Sequence, residues 1–160
     1  MLKRGGMNPK EFIRQVFLDE YSHIVPKYAY ISFALIGLGV EFLGACLDPY
    51  EFSENGLSGA RVRNAIQTLF PTSYHPFIGH FNDLRNGFAH QFRPGKTLEL
   101  SQRSEAPGKG WQHLKTSDGR VCLIAENLYE DFEKACHAVI TRIDNGQLSH
   151  PKLTKPYLRV

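Results

Sequence analysis

Cysteine is scarce in this chain and forms no pattern. Cys46, Cys122 and Cys136 are far apart, odd in number, and make neither a CxxC pair nor a Cys/His set with zinc-site spacing. A disulfide framework and a zinc knuckle are thereby excluded, and a reduced, cytoplasmic setting is the simplest expectation. Charge of one sign is also in short supply: the net charge of +3 and pI near 8.8 tolerate nucleic acid without making a dedicated basic surface. GKGW and LIGLGV lack the spacing and context of a phosphate-binding glycine loop. No Ser or Cys sits in an activating motif, and no carboxylate cluster resembles a two-metal nuclease. Repeats and low-complexity stretches are missing, and no apolar run of the kind a signal peptide needs follows the basic start MLKRGGMNPKEF.

What is there suits one domain. The chain has 160 residues, of which 42% are hydrophobic and 11 are Phe, enough for a bulky core but short for two domains. Asn8, Pro9 and Glu11 fit N-cap, N1 and N3 of a first helix carrying Phe12, Val16, Phe17 and Ile24 and stopped by Pro26. Residues 28–47, YAYISFALIGLGVEFLGACL, are apolar nearly all round. They are long enough to span a bilayer, but Glu41, three glycines and the lack of flanking basic residues point to an enclosed bundle helix, with no membrane partner. A turn at Asn55-Gly56 leads to a third helix over SGARVRNAIQTLF, closed by Pro71. The fourth helix runs from about Pro76 to Gln91, and Pro94-Gly95 terminates it.

The period then changes. TLELSQR alternates, WQHLK is short, GRVCLIA is a compact apolar run, and Asp118-Gly119 is a hairpin turn. The last helix shows Leu128, Phe132, Ala135, Val139 and Ile143 at spacings of three and four, with Asn127 and Glu130 reading as a capping box. The expected fold is mainly α: a five-helix up-and-down bundle over residues 1–145, with a β-hairpin or three-stranded insertion at about 97–124 between helices four and five. Residues 146–160 read as an extended or loosely held tail with three basic side chains.

On the fourth helix, Phe77, Phe81, Leu84, Phe88 and Phe92 fall in one stripe about 80° wide, the core face. Asn86 and His90 lie on the opposite side with Gly79 and Asp83, and Arg85 sits at the boundary. Such a polar face is ordinarily solvated, and chance alone places about one Arg and His at this separation in a chain of this composition. Gly79 and Gly87 each cost ~1 kcal/mol relative to Ala, which points to a close approach of a backbone or a ligand. His75, His80, Asp83 and His90 are the candidate metal ligands, but they lack metalloprotease spacing, and no metal or cofactor is expected. Glu41, costly to bury alone, needs a partner such as Arg63 or Arg85.

The string Leu84-Arg85-Asn86-Gly87-Phe88-Ala89-His90 resembles the signature of HEPN domains, α-helical bundles whose motif is Arg, a polar residue, then His a few positions on. The acidic residue before FLG in the second helix and the amphipathic final helix agree with that architecture, while the strands are an elaboration. The resemblance implies a homodimer that pairs two motifs and cuts RNA without metal, leaving a 2′,3′-cyclic phosphate, in a toxin, phage-defence or stress system. Carried onto this chain, His90 acts on the ribose 2′-OH proton, Arg85 stabilises phosphoryl charge and Asn86 orients them, with Glu41 and Asp83 as supporting residues. Arg93, Lys96 and Arg103 are candidates for phosphate contacts. The rival implication is a non-catalytic HEPN module that binds nucleotide or RNA, or that partners an antitoxin or a nucleotidyltransferase.

Overall fold

The computed structural model describes residues 6–148 and 150–158. Lys3 and Arg4 of the N-terminal start and Arg159 of the tail lie outside that range. The chain is mainly helical with one small sheet. Helix α1 covers residues 9–24, α2 is Ala29–Leu47, α3 is Ser58–Leu69, α4 is Ile78–Gln91 and α5 is Ala125–Asp144. Strands β1 (Leu98–Ser101), β2 (Thr116–Ser117) and β3 (Arg120–Ile124) lie between α4 and α5 in the chain.

α1 starts with the expected box: Asn8 Oδ1 accepts from the Glu11 amide at 2.9 Å and Glu11 Oε2 accepts from the Asn8 amide at 3.2 Å. Its middle, Ile13–Glu20, is π-helical. The buried stripe is Ile13, Phe17, Tyr21 and Val25, and the expected Phe12, Val16 and Ile24 lie half-buried beside it. α2 is the one described helix long and apolar enough to cross a membrane, and two-thirds of it is buried against α3, α4 and α5. Its crossing with α3 is close because Gly44 has no side chain: a Cβ there would collide with the Arg61 carbonyl.

α4 begins two residues later than its proline suggests, after a 3₁₀ stretch at Thr72–Phe77. It ends at Gln91 because Phe92 turns left-handed, with φ 54°. That conformation swings Phe92 out of the core stripe, leaving it 61% exposed, while Phe81, Leu84 and Phe88 stay buried. The Phe92 carbonyl accepts from Tyr30 Oη at 2.9 Å, which ties the end of α4 to the start of α2.

The sheet has the order β1-β3-β2, with β1 parallel and β2 antiparallel to β3. Asp118 and Gly119, both at positive φ, make the tight β2–β3 turn that a DG pair favours. Val121 and Leu123 enter the main core, whereas Cys122 and Ile124 pack on the other face with Ala106 and Trp111. All three cysteines are buried thiols.

Two expectations about the chain's last quarter are corrected. α5 starts at Ala125, so Asn127 and Glu130 lie inside it and form no capping box. Instead they hold Arg103, which gives Nε to Asn127 at 3.0 Å, Nη2 to Glu130 at 2.8 Å, and its backbone N–H to Glu126 at 3.0 Å. The tail is docked rather than loose. Lys152 is 4% exposed, and its ammonium donates to the carbonyls of Ala45 and Tyr50 and to Asp48 Oδ1 at 2.9 Å. Leu153 is buried, and Met7 bridges to Leu158.

Candidate functional site

Arg85, Asn86 and His90 are placed by two local features of α4. The buried Phe81, Leu84 and Phe88 set the helix's rotation. This leaves Asn86, His90 and Asp83 exposed and Arg85 half-buried at the edge facing α2. Gly87 then lets the chain fold back: a Cβ would collide with the Arg93 carbonyl, and residues 93–95 pass over it. The close backbone approach expected of Gly87 therefore comes from the chain's own loop, whereas Gly79 faces open space among the described residues.

The fold-back makes one wall of an open groove of about 580 Å³, with Asn86 and His90 on the other side and Asp83, Arg93, Lys96 and Thr97 around them. Thr97 Oγ1 donates to Asp83 Oδ2 at 3.3 Å, so Asp83 fixes the loop's return to β1. Arg93 donates to Gln91 at 2.8 Å, and it and Lys96 leave cationic side chains along the groove. Arg103, the third expected phosphate contact, is held on α5.

Arg85 turns its Nε to Glu41 Oε2 on α2, and its Nη1 donates to Asn86 Oδ1 at 3.0 Å. Glu41 is completed by the Ser58 hydroxyl, which donates to Oε1 at 2.6 Å. Of the two partners expected for Glu41, Arg85 is found, and Arg63 is exposed on α3. The pair is 19% and 17% exposed, so most of both side chains is out of water while a part of each remains at the surface. Glu41, Arg85, Asn86 and the exposed imidazole of His90 thus run in a line from α2 across α4 to the groove. Among the described residues no three His, Cys, Asp or Glu side chains converge as metal ligands, so His75, His80, Asp83 and His90 do not form a ligand set.

A second polar constellation carries no signal in the sequence. The Ile124 amide, at the entry to α5, donates to His113 Nδ1 at 3.0 Å. The proton of the neutral ring is therefore on Nε2, which lies 2.8 Å from Tyr74 Oη, and that hydroxyl donates to Asp131 Oδ2 at 2.8 Å. Burial pulls the His113 pKa down to about 4, against the opposing pull of Asp131. The chain of bonds joins loop, 3₁₀ turn, strand end and α5; Tyr74 is buried, His113 and Asp131 are half-buried, and none of the three lines the groove.

A third is the cluster around Asp48. Arg61, 4% exposed, gives Nε to Asp48 Oδ2 at 2.7 Å and Nη groups to the carbonyls of Glu51 and Phe52. Burial alone would push the Asp48 carboxyl up, but bonds from Arg61 and Lys152 outweigh it and hold it below the usual carboxylate range.

No protein-family model, curated protein or solved structure matches the chain.

Proposed function

We propose that this protein is a HEPN-type endoribonuclease of the cytoplasm, built as a five-helix up-and-down bundle with the sheet inserted after the fourth helix, and acting as a homodimer. The observation that carries the reading is the line Glu41–Arg85–Asn86 ending beside an exposed His90 on a groove edged by Arg93 and Lys96. An imidazole has an unperturbed pKa near 6.5, so at working pH it can take the proton of a ribose 2′-OH. The freed oxygen attacks the adjacent phosphorus, the 5′ oxygen leaves and takes up a proton, and a 2′,3′-cyclic phosphate remains. Arg85, oriented by Glu41 and Asn86, offers permanent positive charge to the phosphoryl oxygens as their charge grows. Asp83 supports the site indirectly by holding the groove's wall through Thr97. No step requires a metal.

The engagement of Arg85 favours a second reading. Its guanidinium already satisfies Glu41 and Asn86, as a structural arginine would. On that reading the groove serves a non-catalytic module that binds nucleotide or RNA, or docks an antitoxin or a nucleotidyltransferase. Incubating purified protein with mixed RNA in EDTA separates the two. The nuclease reading expects fragments ending in 2′,3′-cyclic phosphate, and a loss of roughly 10²-fold or more in His90→Ala and in Arg85→Ala. Intact RNA at high protein concentration rejects it, and equal cutting by all three proteins assigns the activity elsewhere.

A further inference from the structure

Two side-chain amides border the groove, and an arginine holds each of them by its oxygen. Arg85 Nη1 donates to Asn86 Oδ1 at 3.0 Å, and Arg93 Nε donates to Gln91 Oε1 at 2.8 Å. A guanidinium has donors and no acceptor, so the amide atom that faces it must be the oxygen. The NH2 group of each amide is therefore turned away from its arginine. Neither group meets an acceptor among the described residues. Turning 100° per residue puts His90 between the two, about 40° from Asn86 and about 100° from Gln91.

Arg85 does not itself border the groove. Its Nε is given to Glu41 and its Nη1 to Asn86, and most of the side chain is out of water, whereas Asn86 is exposed. The polarity of the line thus runs one way: Glu41 accepts from Arg85, Arg85 donates to Asn86, and Asn86 offers N–H groups onward. The rest of the groove agrees. Arg93 and Lys96 add positive charge, Lys96 has no ion-pair partner among the described residues, and the Asp83 carboxylate accepts from Thr97. Donors and cations together call for a ligand rich in acceptors, and the two non-bridging oxygens of a phosphodiester supply them.

We propose that Asn86 is a substrate contact, its Nδ2 donating to a phosphoryl oxygen of an RNA strand in the groove, and that Arg85 is its positioning residue, fixing the amide from behind. The charge of Arg85 reaches the phosphoryl group through the amide it polarises. The identity of the ligand rests on the RNA reading given above, but the contact does not require cleavage.

The test therefore reads binding. An RNA-like oligonucleotide with 2′-fluoro sugars, which cannot be cut, is titrated by NMR into the isotope-labelled full chain, and thermal unfolding checks the fold of each variant. The expectation is saturable binding that moves the side-chain NH2 resonances of Asn86, and affinity roughly tenfold lower in Asn86→Ala. Arg85→Lys keeps a charge beside Glu41 but loses the planar fork that spans both partners, so it should weaken binding to a similar degree. Added to Asn86→Ala it should cost less than about twofold more, because Arg85 acts through that amide. Asn86 resonances unmoved at saturation, unchanged affinity in Asn86→Ala, or losses from the two substitutions that add in full overturn the proposal while RNA binding in the groove stands. No saturable binding at millimolar oligonucleotide overturns both. A nucleoside 5′-monophosphate is titrated alongside: weaker binding than the oligonucleotide supports a strand, and tighter binding overturns the strand as the ligand. The expected pattern in a protein that cuts no RNA leaves the contact standing while the nuclease reading falls.

Discussion

Arg85 and Glu41, 44 positions apart in sequence, meet as an ion pair between α4 and α2 with most of both side chains out of water. Removing one charge leaves the other partly desolvated, so Glu41→Gln is expected to lower stability by about 1–3 kcal/mol at pH 7, less than a fully buried pair would lose. The doubly substituted Glu41→Gln/Arg85→Gln protein should recover part of that loss. Urea unfolding of the four proteins in a double-mutant cycle reads the coupling, and a value under ~0.5 kcal/mol would mean the pair is ornamental to the fold.

Lys152 makes a stronger demand. Its ammonium is enclosed by Asp48 and by two carbonyls that have no other role among the described contacts. Lys152→Met fills the same space but leaves those carbonyls unsatisfied and gives Asp48 a single cationic partner. The expected cost is about 2–4 kcal/mol, with limited proteolysis opening at the tail before the bundle. A loss below about 1 kcal/mol with an intact tail would show that the docking rests on Leu153 and Tyr157 instead.

That tail also marks where sequence reasoning stops. The helices were legible because their signals are local: Asn8, Pro9 and Glu11 close a box within one turn, and the apolar spacing of α5 needs no knowledge of its partners. Lys152 reads as a solvated lysine because its acceptors lie more than a hundred positions away. Asn127 and Glu130 matched a cap by spacing alone, and Arg103 claimed them. The parallel pairing of β1 with β3 likewise depends on a crossover that no turn residue announces. At the site, the wheel of α4 correctly separated Leu84 and Phe88 from Asn86 and His90, and the charge argument named Arg85 as one of two partners for Glu41. Phe92 escaped because its left-handed backbone is forced by the fold-back over Gly87, a tertiary contact.

The two glycines of α4 should respond in opposite directions to the same substitution. Gly87→Ala drives a methyl group into the Arg93 carbonyl, so residues 93–95 must shift, and a loss of about 1–3 kcal/mol with a disordered groove wall is expected. Gly79→Ala meets no atom within 4 Å and gains helix propensity, so the chain should become more stable by up to ~1 kcal/mol. Thermal unfolding at low protein concentration checks both. Destabilisation by Gly79→Ala that grows with concentration would place a second copy against that face.

The His113 network predicts a pH dependence with a definite sign. In the unfolded chain its imidazole titrates near 6.5, whereas burial holds it at about 4 in the fold, where Nδ1 must stay unprotonated to accept from the Ile124 amide. Between those values the unfolded chain binds a proton that the folded one refuses, so stability rises with pH across the window. The contribution is fully present above about pH 6.5 and is lost progressively as pH falls toward 4, to a limit of roughly 3 kcal/mol. The unfolding free energy of the wild type, from urea titration, should therefore drop between pH 7.5 and 5 by about 2 kcal/mol more than that of His113→Gln, which is itself less stable at pH 7.5 because Tyr74 and the Ile124 amide lose a partner. NMR supplies the direct readout: the His113 ring resonances should stay fixed from pH 8 down to 5. A midpoint above pH 6 for that ring would mean that the imidazole is solvated and the chain of bonds from Ile124 to Asp131 is not closed.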